Sequence, residues 1–352
     1  MEQRSHEREL RAVDSAWNVS ELMARIAKAL VSDGPALALA PTTTSTVPAR
    51  TALVVTTTGS SGVAKEIHLS AGALLASAKA SNKFLNAEFG STWSLLLPLN
   101  HIAGINVLIR CLELGSTPIN LLGYEGKYPK ADYTAVVPTQ LYRALNGDEN
   151  LLQHLQCARA VLVGGAALTH QLRTAAESAG ISVIETYGST ETSGGCVYDG
   201  TPLDGVEIAI GDAGRIAIKG KNISYQLVDE NGWYFTSDAG RIENGKLIVE
   251  GRIDDVVITG GENVSLTAIE RVINQTFPDI QVAAFAVPHS EWGQAIHCAL
   301  VATDTSLEGE IQAALEREIG VAAKVKGFHY LNEFPLMGIG KVDRAALGRL
   351  IQ

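Results

Sequence analysis

A loop rich in glycine and hydroxyl side chains follows a short apolar run at residues 52–55. The loop reads TTTGSSGVAK, and its candidate binding residues are Thr57, Thr58, Gly59, Ser60, Ser61, Gly62 and Lys65. Glycine lets backbone approach a ligand closely, hydroxyls add donors and lysine supplies positive charge, which together suit the oxygens of a polyphosphate. Ser70 is placed to cap a helix over residues 71–80. The glycine spacing is not that of a Walker A motif, and the loop alone also fits an ordinary strand–loop–helix connection.

A second polar segment, YGSTE, follows a predicted strand at residues 181–185. An aromatic ring such as Tyr187 can stack on a purine, and the hydroxyl of Thr190 can hold a phosphate oxygen. The carboxylate of Glu191 is the kind of oxygen ligand that Mg²⁺ takes together with phosphates. The alternative for this segment is a solvated turn.

Three further segments carry candidate groups towards the C-terminus. Asp238, in TSDAG, is predicted to lie in a tight turn, where it could accept the hydroxyls of a ribose or form an ordinary Asx-turn. Arg252 and the glycines Gly260 and Gly261 are predicted to flank a crevice between two domains. Lys341 follows a glycine loop, so it is either a mobile cation or one more surface lysine.

Composition limits the classes of protein that this chain can belong to. With 352 residues, 46% apolar and 19% charged, it is a globular chain long enough for two domains. The net charge of −10 argues against nucleic acid or an anionic membrane as the main partner. Four scattered cysteines suit a reducing compartment, and neither a secretory signal nor a membrane-spanning run is visible. We therefore expect a soluble cytoplasmic protein without membrane insertion.

The elements that must position these groups alternate between strand-like and helical patterns. Short connections between them predict an α/β domain built on mostly parallel sheets, followed after residue 200 by a small antiparallel β subdomain. The polar clusters at residues 56–65, 100–101, 164–166 and 186–191 all follow predicted strands, where ligands of such sheets bind. A small α+β unit ends the chain. We expect an N-terminal domain at residues 1–253 and a C-terminal domain at residues 254–352.

Six motifs then occur in a characteristic order: GSSGVAK, YGSTE, TSDAG, GRIDD, TGGENVS and GIGK. In these, from about residue 52 to the C-terminus, the chain resembles the adenylate-forming superfamily of acyl- and aryl-CoA synthetases, luciferases and nonribosomal adenylation domains. The segments LPLNHIAGINVLIR and YGSTETSGGCVYDGTPLDG resemble the short o-succinylbenzoate–CoA ligases of menaquinone biosynthesis. The phosphate loop arrives by residue 56, so the resemblance implies an N-terminally shortened version of the fold.

The resemblance implies ATP, Mg²⁺ and coenzyme A as co-substrates and cofactor, and a small-molecule acid as substrate. A carboxylate would attack ATP to give an acyl-adenylate, and the CoA thiol would then displace AMP. The implied ATP site comprises residues 57–65 with Gly165, Tyr187, Gly188, Thr190, Asp238 and Arg252, and Glu191 would hold the metal. The acid would meet His101, Arg110, Gly164 and Ser189. Lys341 would serve adenylation, with His101, Thr190 and Glu191 also in the catalytic set. A pivot near Asp254 would then bring Gly260 and Gly261 towards the pantetheine channel.

Arg110 bears most directly on the substrate, because it lies in the apolar helical setting VLIRCL, where an unpaired guanidinium is costly. o-Succinylbenzoate has two carboxylates, of which one is activated and the other needs a cation. The alternative is that Arg110 pairs with Glu113, while His101 is a strand-end histidine with its hydrogen bonds satisfied.

Two departures and several alternatives stay open. Ala64 and Glu66 replace the proline and glycine usual in the family, and the added carboxylate beside Lys65 is expected to weaken phosphate binding. Another aryl- or acyl-CoA ligase, a stand-alone enzyme loading a carrier protein, and a catalytically silent nucleotide-binding module are the competing functions. The resemblance also leaves a homodimer open.

Overall fold

The first sheet has five strands in the order β3-β1-β2-β4-β5. In the computed structural model, the described residues are 7–58, 64–278, 280–302, 306–337 and 341–351. The strands are β1 (Glu7–Ala12), β2 (Ala36–Ala38), β3 (Thr46–Pro48), β4 (Thr51–Thr58) and β5 (Ala64–Ser70), and the helices are α1 (Val19–Leu30) and α2 (Ala71–Phe84). The Ser70 side chain accepts from the Ala73 amide at 3.1 Å, which confirms the predicted cap of α2.

The Thr- and Pro-rich composition of residues 40–50 predicts a linker, but this segment contributes a strand instead. β3 pairs antiparallel with β1, and Val47 is buried. The linker prediction was wrong because a three-residue strand with one buried side chain leaves too short a pattern to detect.

The second sheet has seven strands in the order β12-β11-β10-β9-β8-β6-β7. Its strands are β6 (Trp93–Leu95), β7 (Ile119–Asn120), β8 (Tyr133–Val136), β9 (Ala160–Val163), β10 (Val183–Ser189), β11 (Gly194–Tyr198) and β12 (Thr201–Pro202). Its helices are α3 (Ile102–Glu113), α4 (Pro138–Leu145), α5 (Glu149–Cys157) and α6 (His170–Ser178). Strands β6 to β10 run parallel, and β11 and β12 add an antiparallel edge. The predicted alternation of strands and helices is confirmed here.

A four-stranded sheet follows, with its strands in sequence order from β13 to β16. They are β13 (Val206–Ile210), β14 (Arg215–Gly220), β15 (Trp233–Glu243) and β16 (Lys246–Arg252). All four begin where the sequence predicted a β segment, because turn residues punctuate the chain clearly in this region.

The C-terminal part has a sheet in the order β18-β17-β20-β19, with β21 also paired to β20. Its strands are β17 (Val256–Thr259), β18 (Glu262–Ser265), β19 (Gln281–His289), β20 (Gly293–Val301) and β21 (Gly327–Tyr330). Helices α7 (Leu266–Thr276), α8 (Glu308–Glu318) and α9 (Arg344–Leu350) accompany it, and β22 (Leu336–Met337) pairs with β23 (Lys341–Val342). On one face of the sheet, Ile269 of α7 and Leu315 of α8 are buried in a cluster with Ile296 of β20. On the other face, Leu347 of α9 is buried in a cluster with Phe285 of β19.

The chain divides into two compact units. Unit 1 comprises Met1–Ala209, Ala217–Phe235 and Glu243–Leu247, and unit 2 comprises Ile210–Ile216, Thr236–Ile242 and Ile248–Gln352. The domain boundary at residue 253 stays a prediction. Within the described ranges, every helix is too short or too polar to cross a bilayer.

Candidate active site

The YGSTE segment lies on a hairpin of unit 1 formed by β10 and β11. Tyr187 pairs with Val197, and Ser189 pairs with Gly194, so the strand continues through the first three motif residues. The Thr192 hydroxyl closes the turn: it accepts from the Ser189 amide at 2.8 Å and lies 2.8 Å from the Gly194 carbonyl. Thr190 and Glu191 are therefore held in a tight turn at the tip of the hairpin.

This hairpin corrects the prediction that Tyr187, Gly188 and Ser189 follow the strand. The strand does not end at residue 185, because the antiparallel partner β11 takes up the backbone groups of the next residues. A shift in register between Tyr187 and Gly188 marks the place where the parallel part of the sheet gives way to the hairpin. Only the last two motif residues are in the turn.

Two predicted site glycines are required by close approach to this hairpin. A Cβ added to Gly164 would lie 2.2 Å from the Thr186 hydroxyl, and one added to Gly188 would lie 2.2 Å from the Gly194 carbonyl. Gly165 has φ of +85°, a conformation that L residues rarely adopt. The Gly164–Gly165 turn after β9 is thereby brought against β10, beside Tyr187.

The described residues on either side of the phosphate loop lie on two antiparallel strands, which corrects the predicted order of strand, loop and helix. Thr57 on β4 pairs with Lys65 on β5, and Lys65 is exposed. The sequence missed β5 because AKEIHLS alternates only weakly, and its pairing with β4 decides its conformation. Gly59, Ser60, Ser61 and Gly62 lie outside the described residues, as does the side chain of Thr58.

The carboxylate of Glu66 is not directed at the same face as Lys65. Neighbouring strand residues point to opposite faces, and the Glu66 carboxylate accepts from the Thr42 hydroxyl at 3.1 Å. This placement removes the reason to expect that Glu66 weakens binding at Lys65.

Ser224 connects the two hairpins within unit 1. Its amide donates to the Glu191 carbonyl at 2.8 Å, and its hydroxyl donates to the carbonyl of His68, on β5, at 2.8 Å. The side chain is fully buried. The segment that carries Glu191 and the strand that carries Lys65 are therefore tied to a common residue.

His101 and Arg110 lie at opposite ends of α3. His101 is the N-cap residue, and the first turn packs so closely on the preceding segment that a Cβ on Gly104 would lie 2.2 Å from the Pro98 carbonyl. Arg110 is in the last turn and is only 4% exposed. Eight residues of one helix thus separate the two predicted acid-binding residues.

The surroundings of Arg110 settle the alternative raised by the sequence. Its Nη2 donates to the Tyr198 hydroxyl at 3.2 Å, and its guanidinium lies 4.9 Å from the centre of the Trp93 ring. Its Nε is buried without a hydrogen-bond partner. Glu113 instead lies 3.9 Å from Lys79, and across the described residues no carboxylate forms an ion pair with Arg110.

Two cysteines beside these groups are unsuited to nucleophilic chemistry. Burial raises the pKa of Cys196, on β11, to about 12, and burial raises the pKa of Cys111, next to Arg110, to about 11. Both thiols stay protonated at neutral pH, and the thiolate is the nucleophilic form. Neither of these two thiols is therefore suited to act as a nucleophile.

The remaining predicted residues lie in unit 2. Asp238 is inside strand β15 rather than in a turn, and its amide donates to the Thr236 hydroxyl at 3.0 Å. The turn prediction was wrong because the strand that starts at Trp233 runs for 11 residues. Arg252 ends β16, and Asp254 lies in a short 3-10 turn.

Gly260 and Gly261 form the two-residue turn between β17 and β18. Their φ values of +59° and +86° are those of a type I′ hairpin turn, which favours glycine at both positions. A Cβ on Gly260 would also lie 2.9 Å from the Trp292 ring. Lys341 begins β23, where it pairs with Met337; its side chain lies outside the described part.

With this geometry established, the chain was compared with known proteins. The model of the AMP-binding enzyme family matches residues 2–253, and that of the AMP-binding enzyme C-terminal domain matches residues 268–341. This chain belongs to the AMP-binding enzymes. A Mycobacterium tuberculosis protein named "Probable 2-succinylbenzoate--CoA ligase" is 39% identical over 326 residues, which cover 85% of this chain and 84% of the relative. The 2-succinylbenzoate–CoA ligase of Escherichia coli K12 is 30% identical over 265 residues, with 70% of this chain and 57% of the relative covered.

Solved structures agree with the assignment to this family of AMP-binding enzymes. A variant of Escherichia coli MenE with bound OSB-AMS has a TM-score of 0.71 at 26% identity, with 86% of this chain and 69% of that chain covered. ATP-bound MatB from Rhodopseudomonas palustris has a TM-score of 0.73 at 21% identity, with 96% and 82% covered, and shows the fold alone. The predicted superfamily and fold class are confirmed. The roles of individual residues stay predictions.

Sequence reasoning missed three buried residues around Arg110. Tyr198 accepts its hydrogen bond; Asn106, one turn earlier on α3, donates to the Ser193 carbonyl at 2.9 Å, and the Ser193 hydroxyl and Asn106 Oδ1 have no hydrogen-bond partner. A detectable signal existed for Asn106, because an asparagine four residues before an arginine in an apolar helix shares its face. Ser193 has φ of +54°, which no sequence pattern indicated.

Proposed function

We propose that this AMP-binding enzyme is an ATP-dependent, AMP-forming acid–CoA ligase that converts 2-succinylbenzoate to its CoA thioester. The reaction has two steps. A carboxylate oxygen of the acid attacks the α-phosphorus of ATP, and pyrophosphate leaves. The thiol sulfur of coenzyme A then attacks the acyl carbon, its proton is released, and AMP leaves.

The observation that carries the choice of acid is the buried guanidinium of Arg110. Burying a cation costs free energy unless an opposite charge pairs with it. The described residues around Arg110 offer a hydroxyl and an aromatic ring instead of a carboxylate. A dicarboxylate presents a second carboxylate once the first is activated, and an arginine can bind it with two hydrogen bonds. The names of the relatives agree with this choice.

In adenylation, the residues of unit 1 would bind ATP and hold it in line with the acid. The β4–β5 hairpin would bind the β- and γ-phosphates, Tyr187 would cover the adenine and Thr190 would bind the α-phosphate. Lys341 would stabilise the negative charge that develops at the transition state. Placement and charge stabilisation are the main contributions that proteins make to such transfers.

Glu191 is suited to hold Mg²⁺. It is a single, partly exposed carboxylate in a tight turn, and Mg²⁺ commonly takes one or two protein carboxylates besides phosphate oxygens and water. Within the described ranges, no group of three or more His, Cys, Asp or Glu side chains is arranged as a metal cage. When bound, the ion would neutralise phosphate charge.

For thioester formation, the predicted C-terminal domain at residues 254–352 would turn about Asp254. This movement would withdraw Lys341 and bring the Gly260–Gly261 turn to the pantetheine chain of CoA. The two positive-φ glycines at that turn leave a hairpin tip without side chains, which suits the close passage of a thin ligand.

The experiment that tests this function is product identification by mass spectrometry after incubation with ATP, Mg²⁺, CoA and 2-succinylbenzoate. We expect AMP, pyrophosphate and the CoA thioester. Matched controls are 4-oxo-4-phenylbutanoate and 2-butanoylbenzoate, each of which lacks one of the two carboxylates. Equal turnover of 2-succinylbenzoate and either control would contradict the proposed acid, and an adenylate that CoA never consumes would contradict the CoA ligase.

A further inference from the structure

A partly buried ion cluster in unit 2 centres on Arg344, the first residue of α9. Its Nη1 lies 3.1 Å from Asp255 Oδ2, its Nη2 lies 2.8 Å from Glu270 Oε1, and its Nε donates to the Ala284 carbonyl at 2.9 Å. Glu270 Oε1 also accepts from the Ala284 amide at 2.9 Å. One side chain therefore joins α9, α7, β19 and the residue that follows Asp254.

The positions of these partners along the chain are the informative feature. Arg344 lies three residues after Lys341, with only Val342 and Asp343 between them. Asp343 fixes this short connection, because its amide donates to the Pro335 carbonyl at 2.8 Å and its carboxylate caps α9 at the Ala346 amide. Asp255 directly follows the predicted pivot. The cluster thus spans from the lysine-bearing strand to the segment about which the unit is proposed to turn.

We propose that Arg344 is a positioning residue for adenylation: its ion pair with Asp255 fixes the strand that carries Lys341 to the segment next to the pivot, so that rotation of the predicted C-terminal domain at residues 254–352 delivers the lysine to one defined place. This inference rests on the proposed function, because it presupposes that Lys341 acts in adenylation. Glu270 has a different part in the cluster, since it anchors the same guanidinium to α7 and β19 and not to the pivot segment.

The environment of the cluster supports a lasting connection. The side chains of Asp255 and Glu270 are each 19% exposed, so solvent screens the ion pairs only partly. Burial opposes the charge on Arg344, but the combined attraction of Glu270 and Asp255 raises its pKa. The Thr267 hydroxyl donates to Asp255 at 3.3 Å, which holds the carboxylate in place from α7.

Two matched variants of the full-length protein test this inference, since each removes one carboxylate charge from the same guanidinium. Asp255→Asn breaks the connection to the pivot segment, whereas Glu270→Gln breaks the connection to α7. Adenylation is measured as single-turnover pyrophosphate release with 2-succinylbenzoate and ATP. The second step is measured by adding CoA to separately prepared acyl-adenylate. Hydrogen–deuterium exchange of residues 341–350 reports on strand β23 and on helix α9, which follows it.

For Asp255→Asn we expect adenylation to fall roughly 10- to 100-fold, as misplacement of a reacting group by about 1 Å does. The KM values for ATP and acid and the rate of the second step should stay within about twofold, and residues 341–350 should exchange faster. Glu270→Gln should keep the adenylation rate within about threefold of the wild-type rate, although its loss of thermal stability should be similar to that of Asp255→Asn. Arg344→Gln should behave like Asp255→Asn.

An Asp255→Asn protein with wild-type adenylation would overturn the inference, and so would an equal loss in both steps, which indicates a merely structural residue. A wild-type protein that forms no adenylate, like its Lys341→Ala variant, would instead overturn the proposed function. The two failures are therefore distinguishable.

Discussion

Arg110 in unit 1 and Arg344 in unit 2 are two guanidinium groups withdrawn from solvent in very different company. Arg344 has two carboxylates and a carbonyl around it, so each of its three nitrogens is engaged. Arg110 is the more deeply buried of the two, yet it has one hydroxyl, the Trp93 ring and a buried Nε without a partner. The charge of Arg344 is therefore paired with carboxylates of the protein itself. For the charge of Arg110, the described residues supply no carboxylate.

This contrast has opposite consequences for stability and for function. Removing one member of a well-paired buried cluster leaves the other charges uncompensated, whereas an unpaired buried charge can be replaced by an apolar group at little cost. A binding site, in turn, gains specificity from a buried cation that only the right ligand neutralises. We therefore expect Arg110 to matter for the substrate and Arg344 for the architecture of unit 2.

The largest expected effect is that of Arg110→Leu on catalysis. Truncating one partner of a buried charge pair costs about 2–5 kcal/mol, so kcat/KM for 2-succinylbenzoate should fall roughly 30- to 5000-fold. Pyrophosphate release measures this. The control is the one-carboxylate analogue that the wild-type protein still activates, whose turnover should hardly change. An equal fall in kcat/KM for both acids would show that Arg110 does not determine the specificity for the second carboxylate.

The second prediction is the stability of two leucine variants, measured by scanning calorimetry. Arg344→Leu should lose about 3 kcal/mol, the lower end of the range for breaking a buried pair, since a third of its side chain is exposed. This corresponds to a fall of roughly 6 to 12 °C in the transition of unit 2. Arg110→Leu should stay within about 1 kcal/mol of the wild type. Similar losses of stability in both variants would contradict the contrast between Arg110 and Arg344.

The third prediction concerns Tyr198, whose hydroxyl contacts both Arg110 and Ser81. Tyr198→Phe removes a hydrogen bond to a charged group, which is worth about 1.5–3 kcal/mol. If that bond orients the guanidinium, part of its energy contributes to binding of the acid. The KM for the acid should then rise by roughly 5- to 10-fold. Ser81→Ala is the matched control, because it breaks only the Tyr198–Ser81 bond at 2.8 Å, and its KM should not change.

The smallest effect is a pH dependence that only the paired cluster should show. Burial raises the pKa of Glu270, and the attraction of Arg344 opposes that rise. Between the ordinary and the raised pKa, the folded protein holds a proton that the unfolded chain has released, so the contribution of Glu270 to the free energy of unfolding is full at low pH and is lost as pH rises through this window. Wild type should therefore lose stability relative to Glu270→Gln as pH rises from about 4, the ordinary carboxyl range, through the raised pKa of Glu270. A difference in the free energy of unfolding between wild type and Glu270→Gln that does not change with pH would contradict the raised pKa of Glu270.

Much of the fold was predictable because its signals are local. The cap at Ser70, the apolar helix after His101 and the buried strand Ala160–Val163 each depend on a few neighbouring residues. The errors share one cause. Strands β3, β5 and the second halves of β10 and β15 form because another strand pairs with them, and a weakly alternating or glycine-rich sequence does not predict such pairing.

For the candidate site, the family and the kinds of chemical group could be predicted from the sequence, because motif residues such as those of YGSTE are neighbours in the chain. Which partners those groups have depends on the fold. Arg110 and Tyr198 are 88 residues apart, and Arg344 and Asp255 are 89 residues apart. No local pattern could indicate that one arginine would meet a hydroxyl and the other two carboxylates, since folding alone brings such distant side chains within hydrogen-bonding distance.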